Sequence, residues 1–132
     1  WVASERLARA LARGEHSAIP LVHVPAPCLY REIAMTTLSE HAIHWNAVMT
    51  CPHLEGIRAA ATAGLGVAPM PDCAAPRDAV VLDERHGLPG LPDCHLQLHQ
   101  REQLERDEAV EALKGVIGEY RWRSGHGHMT AT

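Results

Sequence analysis

At 132 residues the chain is long enough for one domain, or for two small lobes on one backbone, and 46% hydrophobic against 21% charged residues is the balance of a chain that folds around a core. That core is drawn from Ala, Leu and Val, because Phe is absent. Twelve basic against sixteen acidic residues leave a formal charge of −4, which excludes this segment as the part that grips nucleic acid, since neutralising phosphates takes a basic patch.

No apolar run approaches the roughly 18 residues of a membrane span, so no membrane contact is expected; no charged-then-apolar leader opens the chain, so secretion is not indicated, and a first residue of Trp leaves the N-terminus uninformative on targeting. The four cysteines, Cys28, Cys51, Cys73 and Cys94, form no CxxC pair, which removes the usual signature of structural zinc and of thioredoxin-like chemistry. Four reduced thiols fit a cytoplasmic protein better than the two disulfides an even count permits.

The first predicted element is a short helix over Ser4–Arg13, with Leu7, Ala10 and Leu11 at helical spacing, Ser4 as its start and Gly14 as its stop. Ile19–Pro27 reads as a brief apolar strand that its prolines keep from extending. A helix from about Leu29 to Ala42 follows, carrying Leu29, Ile33 and Leu38 near one face. His44–Thr50 is a second strand and His53–Gly64 a second internal helix, with Leu54, Ile57 and Ala61 aligned and Gly64 where a helix-ending glycine belongs. Leu65–Pro71 reads as a third strand, and Ala79–Asp83 and Cys94–Gln100 as two more, separated by the Gly-Pro loop "ERHGLPGLPD". In the last helix Ala109, Val110, Leu113, Val116, Ile117 and Tyr120 form one apolar stripe.

Alternating strands and helices predict parallel β-α-β units, an α/β fold with a mostly parallel sheet flanked by helices. Two units share a local pattern of strand, Pro or Thr, Cys, then a helix with Glu in its first turn: "VPAPCLYRE" and "MTCPHLE". In open parallel sheets ligands gather at the carboxyl ends of strands beside helix N-termini, where free N–H groups and the positive dipole end favour an anionic or hydrogen-bonding small molecule.

"CPHLEGIRAAATAGLGVAPMP", Cys51–Pro71, with Thr50 before it, resembles the Thr-Ser-Pro-Ser-Leu-x-Gly-Leu-x-Ala-Ala-Val-x-Ala-Gly-Leu-Gly-Val stretch of LysR-type transcriptional regulators. "WVAS", "PAPCLYRE", "VVLDERHGLPGLPD" and the closing helix extend the resemblance to about Arg121. It implies a lobe of the periplasmic-binding-protein type II-like fold, with residues 1–4 as a hinge-crossing strand, 5–94 as the second regulatory subdomain, and 95–132 as the return crossing strand, the terminal helix of the first subdomain and a flexible tail. On that reading the first lobe is incomplete and the DNA-binding helix-turn-helix is missing, so the stripe of the last helix is left bare. Association into a homo-oligomer, altered packing of that helix or poor behaviour in isolation is then expected. DNA would be contacted only through the missing domain.

The resemblance places the effector-binding cleft beside Pro27, Cys28 and Arg31, then Thr50, Cys51, Pro52 and His53, then Met70. The family often has Ser where Cys51 stands and a small polar residue where His53 stands. A thiol is the poorer hydrogen-bond donor, so the effector should differ from those of relatives or bind weakly.

Sharper chemistry finds less support. Redox sensing by Cys28 or Cys51 lacks a resolving partner, and both read more simply as small residues filling a tight turn. His41 and His44 have no third ligand nearby, and His95 and His99 lie too far apart along a strand to chelate together; no metal and no cofactor are expected. No Gly-x-Ser-x-Gly elbow occurs, and Cys51 and His53 are too close in sequence for nucleophile and base, so no catalytic residue is assigned. Arg31 with Glu32, and Glu55 with Arg58, read as solvated helix charges, the alternative for Arg31 being an anionic effector. The resulting expectation is a small-molecule effector-sensing domain of a LysR-type transcriptional regulator, the alternative being a solute-binding receptor lobe of the same fold.

Overall fold

In a computed structural model that describes residues 1–94, 98–99 and 108–119, Ser4 opens the first helix as the sequence predicts. Its hydroxyl accepts from the Leu7 N–H at 3.3 Å and starts α1, Glu5–Ala12, just after the two-residue strand β1, Val2–Ala3. β2 covers Ile19–His23, α2 Leu29–Glu40, β3 Trp45–Thr50 and α3 Leu54–Ala63. Gly64 ends α3 with φ 80°, and a Cβ there would stand 2.7 Å from Ser4 Oγ, so glycine is needed both for its backbone and for its close neighbour.

β2 and β3 run parallel, from Ile19 opposite Trp45 to His23 opposite Thr50. One residue is skipped: Leu21 faces Ala47 and Val22 faces Met49, which leaves Val48 as the extra residue of a bulge. β4, Val80–Val81, is shorter than the strand expected over Ala79–Asp83 and pairs antiparallel with β1.

The strand expected over Leu65–Pro71 shrinks to two bridges. Val67 donates to Pro20 O at 2.7 Å and accepts from Val22 N at 2.8 Å, in parallel sense, while Ala68 exchanges two 2.9 Å bonds with Val2 in antiparallel sense. Pro69 and Pro71 have no N–H to donate, so neither ladder can run on. Those bridges order the backbone as β3, β2, residues 67–68, β1, β4. Among the described residues this pairing is mixed rather than mostly parallel.

Side chains alternate across these strands and feed two cores. Trp1, Ala3, Leu21, Val67 and Leu82 pack with Leu7 and Leu11 of α1 and Ala34 and Leu38 of α2. Val2, Val22, Ala68 and Met70 pack with Ile57, Ala60 and Ala61 of α3 on the other side. α1 and α2 thus cover one face and α3 the other, the α/β layering that parallel crossovers produce. After β4, Asp83 caps a 3-10 turn over Glu84–His86, Leu88 is buried, and the Trp1 indole N–H donates to Pro89 O at 2.7 Å.

The chain divides into two compact units, Trp1–Pro92 and Asp93–Thr132. In the second, α4 spans Glu108–Glu119, and Leu113 and Val116 of the expected stripe are exposed. Tyr120 and most of the strand expected over Cys94–Gln100, His95 included, lie outside the described residues, as does the tail.

Candidate functional site

The carboxyl ends of β2 and β3 are tied together: Cys51, one residue past β3, donates its N–H to His23 O at 3.1 Å. From these two ends the chain leaves in opposite directions, β2 to α2 on one face and β3 to α3 on the other. In open α/β sheets ligands gather outside the carboxyl ends of the strands, and the space beside these two strand ends is the candidate crevice.

Each helix beside that crevice begins on a residue that does not cap it. Cys28 is the N-cap of α2 and His53 that of α3, both in extended backbone conformation and neither making a side-chain capping bond. Ser, Thr, Asp or Asn would satisfy first-turn N–H groups at those positions; Cys and His leave them open to another acceptor. Pro27, joined to Ala26 by a cis peptide bond, precedes Cys28 and is exposed.

Arg31 lies in the first turn of α2, three residues before Ala34 and seven before Leu38, both wholly buried. Its side chain therefore starts along the stripe that meets the sheet. Arg31 is half-buried, and its Nε is buried with no hydrogen-bond partner among the described residues. Glu55 and Arg58 do form the expected surface pair, at 3.1 Å.

Thr50, Pro52 and His53 are exposed at the end of β3, so the structure brings these predicted residues together with Cys51 at one junction. Cys51 is half-buried, packs against the α3-side core, and donates its thiol to His53 O at 3.6 Å. The thiol thus meets the backbone of His53, which is no nucleophile–base contact. Met70 differs from the rest: only 8% exposed, it is a core residue under α3.

Sequence reasoning missed His23. It ends β2 at the crevice, is 6% exposed, and meets the Trp45 ring edge-on at a centroid distance of 6.5 Å. Its Nδ1 lies 2.9 Å from Val24 O; a carbonyl only accepts, so Nδ1 carries the proton in this contact. The signal was a single polar residue inside the otherwise apolar "IPLVHV". His41, considered for metal binding, places Nδ1 2.9 Å from Thr37 O, and no three potential ligands gather into a metal site among the described residues. The four cysteines are free thiols. No helix among the described residues is long and apolar enough to cross a membrane.

Residues 1–121 match the family model of the LysR substrate binding domain. The chain belongs to this family. LysR substrate-binding domains take small-molecule effectors and belong to regulators, which are generally not enzymes, and the family implies an α/β architecture like that of periplasmic binding proteins. The layered unit over Trp1–Pro92 is of that α/β class.

Proposed function

We propose that this chain is the effector-sensing part of a LysR-type transcriptional regulator, that it binds a small anionic molecule in the crevice between the ends of β2 and β3, and that it performs no chemistry on it. The observation that carries the reading is the buried Nε of Arg31, without a partner among the described residues, in the first turn of an uncapped helix. A buried guanidinium donor without a partner is costly, and a carboxylate or similar anion supplies both the charge and the acceptor. Cys28, Thr50, Cys51 and His53 border the same crevice and contribute its shape, and the uncapped first turns of α2 and α3 contribute backbone N–H groups; Pro27 and Pro52 limit its edge, and Met70 supports it from the core.

In this reading residues 5–94 are the second regulatory subdomain, residues 1–4 the strand entering it, and residues 95–132 the return strand, the terminal helix of the first subdomain and a tail. The fold is then of the type II periplasmic-binding-protein kind. Effector binding shifts the balance between lobe arrangements, and that shift reaches a separate helix-turn-helix domain that holds DNA. The protein works in the cytoplasm as a homo-oligomer joined through its regulatory domains.

Calorimetric titration with a panel of small aliphatic and aromatic carboxylates tests this. At least one should bind the wild-type chain and lose measurable affinity in Arg31→Met. Binding that is indifferent to Arg31 would overturn the assignment.

A further inference from the structure

We infer that Gly56 is a positioning residue for the effector crevice, a notch in α3 that seats the Cys51 thiol. A Cβ at Gly56 would stand 2.5 Å from Cys51 Sγ and 3.6 Å from Cys51 Cβ, and beyond its own helix backbone and chain neighbours would meet nothing else within 4 Å among the described residues. Its φ is not in the left-handed region, so no backbone conformation demands glycine here. A glycine inside a helix is less favourable than alanine, and the one contact that opposes alanine at this position is the thiol.

The seat is fixed from three sides. The Cys51 N–H is committed to His23 O, the thiol donates to His53 O, and the side chain packs against the Ile57, Ala60 and Ala61 cluster. With Sγ held in α3, the junction between β3 and α3 offers a ligand backbone N–H groups and the His53 side chain rather than a free thiol. An alanine at 56 leaves sulfur no room at 2.5 Å, and Cys51 must turn to another staggered rotamer. The inference rests on the effector reading for its functional meaning, but the thiol's seat can be tested without any effector.

The experiment is peptide-resolved alkylation with iodoacetamide, with thermal melting alongside, on the wild-type chain, Cys51→Ala, Gly56→Ala and the double variant. In Gly56→Ala, Cys51 should label several-fold faster while Cys28, Cys73 and Cys94 keep their rates. The double variant should melt above Cys51→Ala, because the helix then gains alanine without the clash; this comparison holds even where Gly56→Ala alone fails to fold. An unchanged Cys51 rate in folded Gly56→Ala overturns the inference, as does a double variant that melts no higher than Cys51→Ala. Neither result bears on anion binding at Arg31, so the two readings fail separately.

Discussion

Cys51 donates its backbone N–H to the carbonyl of His23 at 3.1 Å, and that bond sets the ends of β2 and β3 level. The bulge at Val48 makes it possible. Up to Leu21 and Ala47 the register is regular; beyond it Val22 pairs with Met49 and His23 with Thr50. A regular ladder would place Met49 opposite His23 and turn the last β3 side chains to the other face. Instead Met49 and Cys51 both pack on the α3 side, and the chain enters α3 from the edge where α2 begins on the opposite face.

Arg31 ties function to stability. Arg31→Met replaces a buried donor, without a partner among the described residues, with a flexible apolar side chain, so the variant should be as stable as wild type or better, by up to about 1 kcal/mol. The same substitution should abolish carboxylate binding. Denaturant melts paired with calorimetry check both; a large loss of stability would show that Arg31 serves the fold.

Gly66 should tolerate no side chain. A Cβ there would lie 2.6 Å from Pro20 O, 2.8 Å from Val22 Cγ2 and 2.9 Å from Val48 Cγ2. The first of these is backbone in the middle of the sheet and cannot step aside. Gly66→Ala should cost about 1–3 kcal/mol in urea unfolding. Gly90→Ala, whose added methyl meets no described residue within 4 Å, should be near neutral.

Much of this architecture is legible in the sequence because it is local. Ser4 before an apolar period marks the start of α1, and Gly64 after one marks the end of α3; each acts within a few residues. The bulge at Val48 is not legible, because it exists only relative to β2. Nor is the division of labour at Val67 and Ala68, where neighbouring residues pair with different strands in opposite senses. At the site, Thr50 to His53 could be found as a contiguous junction, and Cys28 as a helix start. The burial of Arg31 Nε could not, since it depends on how α2 lies on the sheet; periodicity puts Arg31 on the inner stripe only once Ala34 and Leu38 are known to be buried. The burial of Met70 is hidden for the same reason: a strand end near a crevice and a core position look alike until α3 is in place.

Acid should weaken the turn after β4. The Arg85 guanidinium, first, and then His86 and the Arg85 N–H hold the Asp83 carboxyl down from 3.8 to about 2. A carboxyl with a lowered folded value stabilises fully above its unfolded pKa and loses that contribution as pH falls through the folded one. The window is therefore from about pH 4 to about pH 2. The group is solvent-exposed, so the effect is modest. Asp83→Asn should flatten that part of the stability–pH curve relative to wild type, as read by urea melts at stepped pH.

The start of α1 depends on one hydroxyl. Ser4→Ala removes the acceptor of the Leu7 N–H and should cost about 1 kcal/mol, whereas Ser4→Asp should retain most of the stability. Chemical denaturation of the two variants side by side distinguishes the cap from mere loss of side-chain volume.

The central claim is that an anion sits between the starts of α2 and α3 at the ends of β2 and β3. Amide chemical-shift mapping by NMR, with the carboxylate that binds most tightly, tests it directly. The account predicts that the largest shifts fall on residues 28–32 and 51–55 and disappear in Arg31→Met. Shifts centred elsewhere, or shifts at these residues that persist without Arg31, would contradict it.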